Sequence, residues 1–350
     1  MNKRIFGFML TVFFGALVFS GCNLDPGNNA ITFSSATNPG DLVSTTVGST
    51  SFDMILVNSS TGISFPTGTD DSGTTSLSRK FFLGETEVTN SLVAEILQWA
   101  YDNGRFSATV TDPSGLDSST IKHGGQELLD WQSNAWCRVD YAGGVFSVES
   151  GYENHPVVNL SWYGAVILCN WLTEMTDGGT SNLVYSGIDS DWDHTATVAD
   201  DTKQGFRLPS STEIEYAARY IGTNAPAAGD DLDSEVVSTS APGTTYYWTP
   251  GDYASGATAD YNDAAATSTV AWYSQAELKA VAGKAENQLG IYDMSGNNWE
   301  WCYTVSGGTK RTVRCGGFTT DASYTRVGFA LDSLPFGMFY NQGFRLARTQ

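Results

Sequence analysis

The chain has 350 residues and a formal net charge of −20, with 38 acidic side chains against 18 basic ones. That field repels a sugar–phosphate backbone, so nucleic-acid binding is the function class it excludes most firmly. Aromatic residues make up 13% of the chain, including ten tryptophans, which is too much core-forming area for a disordered polymer.

Met1 to Arg4 is a basic start, Ile5 to Phe19 an apolar run, and Ser20-Gly21-Cys22 a small-residue close. This is the layout of a secretory leader and too short for a comfortable membrane span. Val18 to Cys22 resembles the bacterial lipobox, which implies cleavage after Gly21 and acylation of Cys22; an ordinary leader with a chance cysteine is the alternative. Several acyl chains on Cys22 would anchor the protein to a membrane at roughly 0.8 kcal/mol per buried methylene. Loss of Lys3 and Arg4 would leave 16 basic residues against 38 acidic ones. The organisation expected is a leader over 1–21, acylated Cys22 with a Gly/Ser/Asn-rich tether over 22–49, and one domain over 50–350.

Strands are expected at Phe52 to Val57, around Ile63 and Phe65, and within Arg79 to Val88. Thr89 or Asn90 caps a helix whose apolar positions are Leu92, Val93, Ile96, Leu97 and Ala100, and Asn103-Gly104 ends it. Residues 105–155 read as irregular, with Trp131, Trp136 and Tyr141 as anchors. A second helix starts near Ser161, buries Ala165, Val166, Cys169 and Leu172, and stops at Asp177-Gly178-Gly179. Ser210 and Glu213 have capping-box spacing ahead of a third helix. Residues 223–245 and 252–269 read as polar loops, and short strands between glycine turns follow Gly290. The sum is an α+β domain with short antiparallel sheets and long loops. Cys137, Cys169, Cys302 and Cys315 permit two disulfides in any of three pairings, or stay free in a core that needs no staples.

His123, His155 and His194 lie far apart and in no zinc spacing, and the G-x-S-x-G elbow, the P-loop and the Rossmann fingerprint are absent. The densest polar constellation is Asn287 followed by Gly290 to Trp301. Asp293, Asn297 and Glu300 place hard oxygens within eight residues, as calcium requires; a turn-closing Asn297 and a solvent-facing Glu300 are the plainer alternative.

This segment, with four others, resembles the formylglycine-generating enzyme, or sulfatase-modifying-factor, domain family. The five are Glu87-Val88-Thr89-Asn90, His155 to Trp162 with Cys169 to Leu172, Phe206 to Arg219, Asn287 to Trp301, and Gly343-Phe344-Arg345. The resemblance implies a C-type-lectin-like core and calcium near Asn297 and Glu300, assisted by carbonyls of Gly296 or Asn298, with Asn287 at a second site. Active members carry two copper-binding cysteines five residues apart; Thr320 and Thr325 stand there in this chain, and Cys315 stands where the family has glycine. A hydroxyl is neither a soft copper ligand nor an exchanging thiolate, so neither copper nor sulfatase activation is expected.

The whole chain also resembles spirochaete variable lipoproteins whose genes are rewritten at adenines by retroelements. That resemblance implies a non-catalytic, surface-displayed binding protein of the outer membrane, with a periplasmic location as the alternative. Its partner would be a protein or glycan of a host or neighbouring cell. The binding segment would be residues 298–342, at Asn298, Cys302, Tyr303, Thr319, Thr320, Asp321, Ala322, Ser323, Phe329, Asp332, Ser333, Phe339 and Tyr340. The competing readings are a retained oxidoreductase and a structural coat protein, and ordinary loop or core roles for these residues.

Overall fold

The computed structural model describes residues 33–105, 120–130, 136–188, 193–195, 197–224, 237–240 and 243–350. Cys22 and the leader lie outside the described residues, as does Trp131. The fold begins inside the stretch read as tether. Leu42–Val47 pairs antiparallel with Thr50–Leu56, and Gly48, at φ 55°, supplies the left-handed corner between them. Ser49 donates its N–H and its hydroxyl to Glu95 Oε1, which ties that corner to the first helix. Composition could not reveal the outer strand, because Leu42, Val43 and Val47 are interrupted by Ser44, Thr45 and Thr46 in a Gly/Ser/Thr-rich stretch.

Helix α1 (Asn90–Asp102) is capped by Thr89 and closed at Asn103. Helix α2 (Trp162–Asp177) is capped by Ser161 and ended by Gly178 in the left-handed conformation. Helix α3 (Ser211–Arg219) carries both halves of the capping box between Ser210 and Glu213. Helix α4 (Ala264–Val270), capped by Asp263, lies in a stretch read as loop. Residues 105–155 are less irregular than expected: Thr120–His123 pairs with Gln126–Asp130, and Val139–Ala142 with Val145–Val148. Val237–Ser240, in another expected loop, pairs with Thr244–Trp248. Among the described residues no helix is long and apolar enough to cross a membrane.

The main sheet is antiparallel, in the order Leu42–Val47, Thr50–Leu56, Phe81–Gly84, Ala347–Thr349, Phe206–Arg207. Its side chains alternate between two cores. Met54, Leu56 and Phe82 pack with apolar residues of α1 and α2, whereas Ile55, Val57, Phe81, Leu83 and Ala347 pack with Ile214, Ala217, Cys302 and Cys315. A sheet covered on both faces wants unbroken apolar runs, which explains Met54 to Val57.

A second sheet holds the C-terminal segment, in the order Leu331–Ser333, Lys310–Arg314, Trp299–Ser306, Gln342–Gly343. Its last pairing is parallel, the others antiparallel. The architecture is mixed α+β with several small, mainly antiparallel sheets and four α-helices among the described residues.

Candidate ligand-binding face

A fully buried ion pair holds the C-terminal segment to the rest of the fold. Arg345 and Glu300 are both fully buried; Nε reaches the two carboxylate oxygens at 3.1 Å and Nη2 reaches Oε1 at 2.7 Å. The remaining guanidinium bonds go to the carbonyls of Gly84, Glu85, Tyr292 and Asp293. The flanking carboxylate holds the Arg345 guanidinium well above its ordinary range, against the cost of burial. Gly343 is required where the chain enters this clamp: a Cβ there would stand 2.1 Å from the Val157 carbonyl oxygen.

The turn expected to bind calcium is held by hydrogen bonds. Asn297, at φ 57°, gives its amide to Glu87 Oε2 and the Lys279 carbonyl, while its Oδ1 accepts the Lys279 N–H. Asn287 Oδ1 accepts the N–H groups of Leu289 and Ile291, Gly296 O accepts that of Asn298, and Glu300 is taken by Arg345. The oxygens here without a partner are Glu87 Oε1, Asp293 Oδ1 and Asn298 Oδ1. Among the described residues no three His, Cys, Asp or Glu side chains form a metal-holding group. As arranged, Asn287 Oδ1, Asn297 Oδ1 and the Glu300 carboxylate are all engaged in hydrogen bonds within the protein. Burial pushes the carboxyl of Glu87 well up, and that of Asp293 up to about 6.

At Thr320 and Thr325, expected at the family's two cysteine positions, both hydroxyls turn back on the chain. Thr320 Oγ1 donates to Gly317 O at 2.7 Å, and the fully buried Thr325 donates to Ala322 O at 2.8 Å. The four cysteines beyond Cys22 are buried and free, and burial pushes every one of these thiols up, Cys137 to about 12. None is a thiolate at neutral pH. Cys315 sits at φ 76°, a conformation natural to glycine.

The thirteen expected binding residues divide by depth. Asn298, Cys302 and Ser333 are buried within the frame. Tyr303 is half-buried and committed inward: its hydroxyl donates to Thr197 O at 2.9 Å and its ring lies 5.4 Å from that of Tyr185. Phe329 packs on Tyr324 at 5.1 Å, and Thr320, Ala322 and Ser323 are partly covered. Thr319, Asp321, Asp332, Phe339 and Tyr340 are exposed.

Three residues missed from sequence join them. Leu334 and Phe336 are exposed, Phe336 at 63%, and Trp136 lies 5.7 Å from Tyr340 and 5.5 Å from Phe318, centroid to centroid. The local signal for Phe336 was its place between Pro335 and Gly337, residues that favour a surface turn. Trp136 gave no such signal, being 204 positions from Tyr340 in sequence.

The chain matches the family described as FGE-sulfatase, Sulfatase-modifying factor enzyme 1-like domain, over residues 36–350. It belongs to that family. The chaperone protein LppX of Paenibacillus barcinonensis is 26% identical over 219 residues, 57% of this chain and 71% of the relative. The serine/threonine-protein kinase Pkn1 of Chlamydia trachomatis serovar L2 is 24% identical over 167 residues, 47% of this chain but 16% of that protein. Among solved structures, Treponema denticola variable protein 1 superposes with a TM-score of 0.53 at 22% identity, covering 88% of this chain and 99% of that one. At that identity the likeness concerns the fold.

Proposed function

We propose that this chain is a non-catalytic ligand-binding lipoprotein with a C-type-lectin-like core, displayed at the cell surface through acylated Cys22. Its C-terminal face would be the binding site for a protein or glycan of another cell. The observation that carries the reading is the contrast within residues 298–342. A frame fixed by Arg345 and Glu300 supports side chains that leave it: Phe336, Phe339 at 47% exposure and Tyr340 at 38%. Exposed aromatics beside small polar groups on a rigid support make a general recognition surface. Threonines with inward hydroxyls at the family's cysteine positions support a binding role over oxidative chemistry.

Replacing Phe336, Phe339 and Tyr340 together by alanine is expected to weaken binding to a cell panel or glycan array at least tenfold, about 1.4 kcal/mol. An unchanged isotherm from a folded variant would remove this face from the proposal. Oxygen uptake with copper and a cysteine peptide is the observation that would favour the oxidoreductase reading; the expected result is none. Diversification by a retroelement would leave a near-repeat of the gene's end differing only at adenines. Calcium stays an expectation of the family resemblance; it predicts a fall in Tm on chelation that added calcium restores.

A further inference from the structure

Beside the C-terminal face lies a cleft of about 360 Å³ lined by Trp136, Arg138, Tyr152, His155, Leu278 and Lys279, with Glu277 at its rim. Its size and mixed aromatic and polar walls are those of a small-ligand site. Trp136 is common to both, since its ring also meets Tyr340.

Two cations, Arg138 and Lys279, line the cleft, each paired with a carboxylate, and Glu153 also acts on His155. Arg138 pairs with Glu149 at 2.5 Å, and the side chains are 23% and 48% exposed respectively. Lys279 and Glu277 stand 3.7 Å apart, at 35% and 75% exposure. In each pair the cation is the inner member and the carboxylate the outer. Arg138 is stacked 3.9 Å over the Tyr152 ring, which fixes its fork, and its hydrogen bond to Glu149 leaves further N–H donors. His155 Nδ1 is buried without a hydrogen-bond partner. Burial, with Arg138 and Lys279 nearby and against Glu153, holds that imidazole below its usual pKa, so it is neutral at pH 7 and adds no charge to the wall.

We propose that this cleft binds an acidic sugar, a pyranose carrying a carboxylate. The carboxylate would accept from Arg138 and Lys279, with the neutral His155 ring in the wall beside them, while the C–H face of the ring lies on Trp136 and Leu278. An acidic peptide side chain offers the same carboxylate on a thin stem and leaves that apolar wall uncovered. The assignment rests on the proposed binding role of the adjoining face and supplies its ligand class.

The test is a tryptophan-fluorescence titration of the full chain with a hyaluronan tetrasaccharide, against the same oligosaccharide with its carboxyls reduced to alcohols. The acidic form is expected to bind at least tenfold tighter. Lys279→Gln should weaken it several-fold and Arg138→Gln with Lys279→Gln at least tenfold, with Tm recorded for each. Because Arg138 also braces Tyr152, the single Lys279 variant is decisive if the double variant fails to fold. Equal binding of the reduced sugar, no binding at all, or equal competition by a tetraglutamate peptide would each overturn the assignment. If the tetrasaccharide fails while the Phe336, Phe339 and Tyr340 variant still loses cell binding, this inference falls and the proposed function stands. If the tetrasaccharide binds through Lys279 while that variant keeps full cell binding, the face assignment falls instead.

Discussion

Replacing Arg345 by methionine is expected to cost about 3–5 kcal/mol, more than any surface change in the molecule. The variant leaves the Glu300 carboxylate fully buried without its counter-charge, and takes the donor from four backbone carbonyls. Those carbonyls belong to two distant segments, Gly84-Glu85 and Tyr292-Asp293, so the guanidinium joins the main sheet to the turn that starts the C-terminal sheet. A urea titration reads the loss as a lower midpoint. Replacing Glu300 and Arg345 together by methionine should recover much of it, because no lone charge remains buried. An unchanged midpoint in the single variant would show that the pair carries no such weight.

Stability should also fall as pH rises between about 4 and 7. The Asp293 carboxyl is pushed up to about 6 by burial, so the folded chain holds a proton there that the unfolded chain has released. A raised folded pKa gives stability that is fully present below the unfolded pKa and lost as pH passes the folded one. From an ordinary value of 3.8, the loss is about 3 kcal/mol at most. Glu87 shifts in the same direction. Glu213, held below its usual value by Arg207 despite burial, acts in the opposite sense at lower pH. The discriminating measurement is therefore a comparison in the presence of a chelator. Asp293→Asn, which keeps an acceptor for the Ala282 N–H, should show a shallower pH dependence than the parent. Identical slopes would rule out Asp293 as the source.

Helices were legible wherever the signal is local. Thr89, Ser161 and Ser210 each cap the helix that their position announces, and Gly178 ends α2 where a left-handed residue is needed. Helix α4 was hidden by its composition, since Ala-Ala-Ala-Thr-Ser-Thr offers little apolar periodicity. The hairpins between Thr120 and Val148 were missed for a different reason: their strands are four or five residues long, too short to establish a period. The frame of the candidate site was visible as motif, because Glu300 and Arg345 fall in matched segments. Its outer surface was only partly visible. Tyr303 and Phe339 look alike in sequence, yet one is hydrogen-bonded inward and the other faces solvent. That difference is set by Thr197 and Tyr185, more than a hundred positions upstream.

The place of Ala347–Thr349 has a consequence for how the chain acquires its shape. This strand lies between Phe81–Gly84 and Phe206–Arg207, in the interior of the main sheet, and Arg348 stands opposite both Phe82 and Phe206. A polypeptide emerging N-terminus first can build helices α1 to α3 as it appears, but the sheet beneath them stays split until its 347th residue arrives. Such long-range closure is slow. Any product cut short after the aromatic face would therefore display that face on an unfinished core and be open to proteolysis.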